Sequence, residues 1–438
     1  MKLDEFEKIK REKNSIGTEM FQLMIKLYPL CRSITGNGVR QTLGIIKNHI
    51  DLEIHEIPTG TKVFDWTIPK EWNINDAYVI DKNGNKVIDF KKSNLHVVSY
   101  SKPIREIMPL AELKEHIHTI PDQPNAIPYL TSYYNEGWGF CMRHNDFVKL
   151  QDKEYEVLID STLSDGSMTY GEYFIPGNTT DEIIITCYVC HPSMCNDNLS
   201  GIVLVTMLAK YLSKVTLDYS IRFLFIPETI GSIAWLALNE KNLKKIKHGL
   251  VATCLGDPGI STYKKTRDGK TEIDKTVEFV LKNSGIEHQI LDFFPTGSDE
   301  RQFCSPGFNL KVGSLMRTPY GRFSQYHTSE DDLEFVKEQF LMDSYLKYLT
   351  VIFVLENNKK YMSLNPKCEP HLGKRGLYRK IGGQKVSKDS ELAMFWMLNF
   401  SDGNHDIITI AEKSGIKFEI LLDAALNLQE NKLLKAIT

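Results

Sequence analysis

The sequence predicts an α/β protein built on a doubly wound, mostly parallel sheet, with an inserted β-rich domain and a C-terminal winged-helix domain. Two observations carry this prediction. After Tyr155, short apolar runs typical of strands alternate with longer runs typical of helices. Parallel neighbours need such crossover helices, because a tight turn cannot join them. The chain has 438 residues, which is enough for about three domains.

The predicted elements of the central sheet follow in chain order. They are strand 183–186, helix 201–212, strand 221–226, helix 233–238, strand 250–254 and a closing helix, 334–355. In open α/β sheets, ligands bind outside the carboxyl ends of the strands. The loops that follow these strands are therefore the places where chemistry is expected.

Two further domains are expected. Residues 61–154 form short β-like runs split by Pro, Asn and Gly, including a hairpin of 78–81 and 87–90 that turns through Asn83-Gly84. We expect this segment to be inserted into one domain made of 1–60 and 155–362. After a polar linker, 357–366, three short helices at 390–398, 407–413 and 418–428 predict a winged-helix domain over 365–438.

Composition excludes several classes of protein. There are 53 Lys plus Arg against 56 Asp plus Glu, so no charge bias favours nucleic acid or an anionic membrane. The first residues lack the apolar core of a signal peptide, and the longest apolar run, 201–209, is too short to span a bilayer. Eight scattered Cys suit reduced thiols. We expect a cytoplasmic protein without a membrane partner.

The last predicted helix bears on partners. It carries little basic charge, whereas a helix that reads DNA normally brings several basic residues to the phosphates. We expect the winged helix to make protein contacts or a homodimer rather than to bind nucleic acid.

The most informative motif lies between strand 183–186 and helix 201–212. A loop that contains both His191 and Asp197 can direct two ligands at one cation. The alternative is that the acidic or hydroxyl side chain only caps the following helix. Later loops favour the metal, because they bring Glu228, Asp257 and His327 to the same sheet edge.

This ordered set resembles the zinc aminopeptidases of the M28-like fold. More closely, the chain resembles a family of aminopeptidase-like proteins with an inserted β domain and a C-terminal winged helix, associated with polysaccharide biosynthesis. The resemblance implies that His191 and Asp257 bind one metal, that Asp197 bridges, that His327 binds a second metal, and that Glu228 is the general base. The alternative for Glu228 is a contact with the N–H groups of the next helix.

Two departures from the peptidase pattern change the expected metal content. Thr229 stands where a second Glu would bind the second metal, and Ser193 stands where an Asp would orient His191. We therefore expect one zinc held tightly on the His191 side and a second, weaker one. Asp299 is the nearest substitute ligand in the sequence.

Residues for substrate binding are less well marked. The segment 297–303 resembles the Ser-Asp-x-x-x-Phe loop that borders the pocket in these peptidases, which implicates Asp299 and Arg301. Arg301 or Arg317 could hold an anionic group, and Tyr326 adjoins His327. Alternatively, Asp299 caps a helix and the arginines form structural ion pairs.

The resulting functional hypothesis is zinc-dependent hydrolysis of an amide bond, most simply by an aminopeptidase acting on a peptide. Zinc acidifies its bound water, and a nearby carboxylate can move the proton to the leaving amine. One alternative is an amidase, deacylase or cyclase acting on an amino-sugar-type substrate. Another is a non-catalytic regulatory scaffold that works through the winged helix.

Overall fold

The computed structural model describes residues 1–377 and 388–437. The chain divides into two compact units. One is Lys8–Tyr348, and the other combines Met1–Glu7 with Leu349–Thr438. Two helices, Leu3–Arg11 and Glu338–Asn357, contain the divisions between the units.

The larger unit is built on an eight-stranded sheet. In chain order its strands are β1 (Glu53–Pro58), β2 (Ser167–Ile175), β3 (Glu182–Tyr188), β4 (Ser220–Ile226), β5 (Ile246–Ala252), β6 (Ser261–Lys264), β7 (His288–Leu291) and β8 (Val312–Met316). Their spatial order is β1-β2-β4-β3-β5-β8-β6-β7. The central strands β4, β3, β5 and β8 are parallel, whereas β1, β2 and β6 introduce antiparallel pairs. The predicted mostly parallel sheet is confirmed.

Burial explains the sequence of the sheet centre. Every residue of β3 is buried, which is why its apolar run is continuous rather than alternating. The following helix, Ser200–Leu212, is buried except at Lys210, as its all-round apolar composition requires. The other helices of eight or more residues within this unit are Lys13–Leu27, Asn37–Ile46, Ile230–Asn239 and Glu272–Asn283.

The inserted segment forms its own antiparallel sheet. Its four strands lie in the order Lys86–Asp89, Glu71–Ile80, Glu154–Ser164 and Ile104–Pro109. The predicted hairpin is confirmed, with Tyr78 opposite Asp89. The predicted boundary at 154 falls at the beginning of a strand that pairs with Glu71–Ile80 as far as Ser164, so the insert's sheet extends past it. Short pairs join Lys62–Val63 to Trp66–Thr67 and Ile117–His118 to Phe140–Cys141, and short helices span Leu110–Glu115 and His144–Phe147.

The smaller unit contains the predicted winged helix. Its helices Lys388–Phe400, Ile407–Ser414 and Phe418–Glu430 accompany an antiparallel sheet of Lys360–Ser363, Asp402–Asp406 and Leu434–Ile437. The strand Lys360–Ser363 is the middle one, because it pairs with both others. The segment predicted as a linker therefore contains the central strand of this sheet.

Within the ranges described, none of the helices combines the length and the apolar character that crossing a bilayer would require.

Candidate metal centre

The candidate centre lies where β3 and β4 end. These strands are parallel neighbours, so the residues that follow them emerge at one edge of the sheet. His191 and Asp197 lie in the segment between β3 and the helix Ser200–Leu212, and Glu228 lies between β4 and the helix Ile230–Asn239. Strand order alone therefore brings these three predicted residues to one edge of the sheet.

Three side chains converge on one point. Nε2 of His327 lies 3.1 Å from Oδ2 of Asp197, and Nε2 of His191 lies 3.8 Å from the same oxygen. The three ligand atoms all lie within 4.8 Å of one another. Two imidazole nitrogens and one carboxylate oxygen form a donor set that zinc accepts.

Two buried polar atoms without hydrogen-bond partners indicate whether a cation fits this site. In the described part of the chain, Oδ2 of Asp197 and Nε2 of His327 are buried and make no hydrogen bond. Leaving such atoms buried and unpaired is costly, and the few cases in native proteins call for an explanation. A divalent cation among His191, Asp197 and His327 would satisfy both, so the residues fit zinc.

The protonation states suit metal binding. Burial lowers the pKa of His191 to about 4, which keeps the ring neutral. Burial alone would raise the pKa of Asp197, but the charge of His191, the close approach and charge of His327 and the hydrogen bond from Tyr188 outweigh it and bring this pKa to about 2. A neutral imidazole and an ionised carboxylate are the forms that bind a metal.

Two buried ionisable side chains position the first loop. Nε and Nη2 of Arg32 donate to the carbonyl oxygens of His191 and Pro192, at 2.7 and 2.9 Å. The carboxylate of Asp331 accepts the backbone N–H groups of Asn196 and Asp197, at 2.6 and 2.8 Å. Neither residue was predicted from the sequence, because no local motif connects Arg32 or Asp331 with a loop so distant in the chain.

The partner of the His191 ring differs from the peptidase pattern. Sγ of Cys190 lies 3.5 Å from Nδ1 of His191, and it also accepts the backbone N–H of Glu228 at 3.3 Å. Oγ of Ser193 instead donates to the carbonyl of Tyr28, at 2.6 Å. A thiol, rather than the side chain at position 193, therefore lies beside the His191 ring.

Glu228 faces the same space as the three ligands. Its Oε2 lies 3.9 Å from Nε2 of His191, and its side chain keeps 27% exposure. Burial raises the pKa of Glu228 well above its usual value, and the nearby Asp299 and Asp197 raise it further. A partly accessible carboxylate with an affinity for protons suits a general base.

Asp257 does not join this group, contrary to the prediction. Its carboxylate accepts hydrogen bonds from the Thr318 hydroxyl and backbone, from the Gly259 N–H at 2.8 Å and from Nδ2 of Asn196 at 3.1 Å. Among the residues described, no metal-compatible group includes it. Protein donors already occupy both oxygens of Asp257. The three ligand atoms that converge are therefore those of His191, Asp197 and His327, without Asp257.

The predicted substrate residues separate into two groups. Arg317 is buried, donates to the Asp257 carbonyl at 2.6 Å and pairs with Asp343, which agrees with the structural ion pair given as the alternative to a substrate contact. Asp299 is also buried, and its Oδ1 accepts the Thr229 N–H at 2.8 Å. Tyr326 stacks on His327 with ring centroids 3.9 Å apart, and Arg301 lies beside Thr229. Tyr326 and Arg301 therefore border the site.

Aromatic rings from the insert and from β3 enclose the histidines. The Tyr129 ring lies 5.4 Å from His191 and 5.1 Å from His327, and its hydroxyl lies 2.7 Å from that of Tyr133. The Tyr188 ring lies 5.0 Å from His191. Sequence analysis missed these residues, since isolated tyrosines carry no motif.

Comparison with known proteins places this geometry in context. A family model described as "Domain of unknown function (DUF4910)" matches residues 21–358, and one described as "winged helix-turn-helix" matches 359–436. A curated protein of Clostridium acetobutylicum, provisionally named a polysaccharide biosynthesis protein with aminopeptidase-like domain, is 58% identical over 435 residues, which cover 99% of this chain and 100% of that protein.

Solved structures give the fold. A crystal structure of a provisionally named peptidase from Clostridium acetobutylicum matches with a TM-score of 0.95 at 57% identity and covers 100% of both chains. A zinc aminopeptidase from Bacillus subtilis matches with a TM-score of 0.56 at 14% identity, over 77% of this chain and 95% of that chain. The expected M28-like zinc aminopeptidase fold is confirmed.

Proposed function

Because this chain belongs to the DUF4910 family and has the aminopeptidase fold, we propose that it is a zinc-dependent hydrolase of amide bonds. Most simply, it is an aminopeptidase that acts on a peptide or peptide-like substrate. One observation carries the proposal: Nε2 of His191, Oδ2 of Asp197 and Nε2 of His327 converge beside the carboxylate of Glu228.

His191, Asp197 and His327 would hold the metal. A zinc ion bound there supplies a Lewis acid for the substrate carbonyl and lowers the pKa of a bound water to about 7. The unpaired buried atoms of Asp197 and His327 support this assignment, because a cation would satisfy both. The role of Asp257 becomes structural in this scheme.

Glu228 moves the proton. Its carboxylate accepts a proton from the attacking water and returns it to the nitrogen of the leaving amine, which would otherwise depart as an unstable amide anion. The side chain is suited to both steps, because it is partly exposed and its pKa is raised by burial. The Cys190 thiol fixes the backbone of Glu228 through the N–H that it accepts.

The surrounding residues orient and shield the reacting groups. Arg32 and Asp331 hold the loop that carries His191 and Asp197 from its two sides. Tyr129 and Tyr188 place aromatic rings against His191, which limits the access of bulk water to the ligands. The insert would thus take part in the site through Tyr129.

A second candidate is an amidase, deacylase or cyclase that acts on an amino-sugar-type substrate. The name of the Clostridium relative, which refers to polysaccharide biosynthesis, favours this class. A non-catalytic regulatory scaffold is a third candidate, which the winged helix favours. All three candidates use the same ligand set, so substrates must distinguish them.

The test combines metal analysis with a substrate panel. Full-length protein, purified without chelator, is analysed for zinc and then assayed with aminoacyl p-nitroanilides, dipeptides and N-acetylated amino sugars, with Glu228→Gln as the matched inactive variant. Release of free amino acids supports the aminopeptidase, and release of acetate supports the deacylase. Bound zinc with no turnover of any compound would argue for the scaffold.

A further inference from the structure

A half-buried arginine beside the proposed general base lacks a counter-ion. We propose that Arg301 forms a subsite for a carboxylate, so that the preferred amide substrate carries a carboxylate group near the scissile bond. This inference rests on the proposed hydrolase function. It goes beyond that function by naming the charge of the substrate and the residue that selects it.

The contacts of Arg301 leave most of its guanidinium free. Nη2 donates to Oγ1 of Thr229 at 3.0 Å, and Nε is buried without a hydrogen bond among the residues described. The guanidinium forms no ion pair with a carboxylate of the described chain. Its positive charge nevertheless acts to lower the pKa of Glu228 and that of Asp299. A partly buried cation with unused donors is costly unless a partner arrives.

The acidic neighbours of Arg301 in sequence are already engaged. Glu300 pairs with Nζ of Lys264 at 2.6 Å, and both side chains are fully buried. Oδ1 of Asp299 accepts the backbone N–H of Thr229 at 2.8 Å. The second oxygens, Oδ2 of Asp299 and Oε2 of Glu300, make no hydrogen bond among the described residues, and neither carboxylate forms an ion pair with Arg301, so the guanidinium has no counter-ion there.

Thr229 connects this guanidinium with the reacting groups. It follows Glu228 directly in the chain and has a φ of +63°, an unfavourable value for a β-branched residue. Asp299 and Arg301 hold its N–H and its hydroxyl, respectively. Such strain persists only where the surroundings enforce it, so the contact with Arg301 belongs to a constrained part of the site.

Other arginines near the site cannot serve this purpose. Arg317 is occupied by Asp343 and by the carbonyl of Asp257, and Arg32 is occupied by backbone carbonyls. Arg301 is half-buried, so a ligand can reach it. A planar guanidinium binds a carboxylate through two parallel hydrogen bonds, which gives both affinity and direction.

The carboxylate has two possible sources, which an experiment can separate. It can be the acidic side chain of the first residue, or the terminal carboxylate of a short peptide. The first source is tested with glutamyl- and glutaminyl-p-nitroanilide, which have nearly the same shape and differ in charge. The second source is tested with alanyl-alanine and its C-terminal amide.

The assay compares kcat/KM within each pair for the zinc-loaded full-length protein. We expect one charged member to be preferred by about tenfold or more, as a charge-assisted hydrogen bond implies. Arg301→Met should bring that ratio close to one, and Arg301→Lys should restore part of it. Arg322→Gln, at an exposed arginine, is the matched control and should leave the ratio unchanged.

Either of two results would overturn the inference. One is equal kcat/KM of the wild-type protein for the charged and neutral members of both pairs. The other is a decrease of kcat/KM in Arg301→Met by the same factor for both members of a pair. Calorimetric binding of L-glutamate and L-glutamine to the same proteins needs no turnover. A preference for glutamate that Arg301→Met abolishes, in a protein that hydrolyses nothing, would support the carboxylate subsite and sink the hydrolase. Absence of that preference, together with equal kcat/KM for the charged and neutral members of both substrate pairs, would support the hydrolase and sink the carboxylate subsite.

Discussion

The phenolic hydroxyl of Tyr188 donates a hydrogen bond to Oδ1 of Asp197, and it is Oδ2 of this carboxylate that faces His191 and His327. A carboxylate that bridges two metals with one oxygen on each needs both oxygens free. With one oxygen engaged by Tyr188, Asp197 offers Oδ2 to one set of three ligand atoms, which matches a catalytic zinc with an open position. The other metal-compatible group among the described residues, Cys190, His191 and Glu228, shares His191 with this set. We therefore expect one metal rather than two unequal ones.

The first prediction concerns zinc. Wild-type protein should retain about one zinc per chain after dialysis, measured by inductively coupled plasma mass spectrometry. Tyr188→Phe should weaken zinc binding by about 10- to 100-fold, because the hydroxyl orients the ligand Asp197. Tyr263→Phe is the matched control, since it removes a buried Tyr–Asp hydrogen bond, 2.9 Å to Asp274, away from the three ligands. Two equally retained zinc ions would contradict the single-site geometry.

The second prediction concerns the general base. Glu228→Gln should keep zinc and the fold while lowering kcat by roughly 10²-fold or more, because the amide cannot accept the proton of the attacking water. The comparison is Glu330→Gln, at an exposed carboxylate near His327, which should retain full activity. Wild-type turnover by Glu228→Gln would remove this residue from the mechanism.

The third prediction concerns whether Asp257 is a structural residue or a metal ligand. Asp257→Asn should retain zinc but lose about 1 to 3 kcal/mol of unfolding free energy, since the amide cannot accept all the hydrogen bonds from Thr318, Gly259 and Asn196. Asp197→Asn should lose the zinc. Metal content and denaturant unfolding measured on both variants give the answer, and loss of zinc from Asp257→Asn would restore this residue to the ligand set.

The fourth prediction concerns pH and a histidine outside the three-ligand group. Burial lowers the pKa of His248 from 6.5 to about 4, with Lys311 and Lys247 adding to the effect. Glu272 lies 3.7 Å away and opposes it. As the pH falls from about 6.5 towards 4, the unfolded chain takes up this proton first, so stability is lost in that window and is fully present above it.

The size of this effect on the free energy of unfolding is at most about 3.5 kcal/mol. Thermal unfolding between pH 7 and pH 4.5 should therefore show a shallower loss of stability for His248→Gln than for wild type. His371→Gln, at an exposed histidine, should keep the wild-type slope. Equal slopes for all three proteins would show that His248 does not contribute.

The fifth prediction concerns the winged helix. The helix Phe418–Glu430 contains Glu419, Asp423 and Glu430 and no Lys or Arg. Full-length protein should bind duplex DNA weakly at 150 mM salt, because few basic groups are available to replace counter-ions at the phosphates. Fluorescence anisotropy with a labelled duplex measures this, and tight, sequence-dependent binding would refute the expected protein-contact role.

The sequence by itself predicted which loops meet at the candidate metal centre. Alternating apolar runs set the order of strands and helices, and parallel strands bring their carboxyl ends to one edge. His191, Asp197, Glu228 and His327 could therefore be placed in one site without coordinates. The hairpin around Gly84 was predictable for a similar reason, since its signal is local.

Only the tertiary structure decided which of these side chains meet. A position at a strand end limits where a residue lies, but the donors that surround it decide where its side chain points. The Asp257 carboxylate accepts hydrogen bonds from Thr318, Gly259 and Asn196. One oxygen of Asp197, in contrast, has no hydrogen-bond partner among the described residues. Tyr129 and Asp331 come from distant segments. Their contacts depend on packing between segments far apart in the chain, which local sequence patterns do not encode.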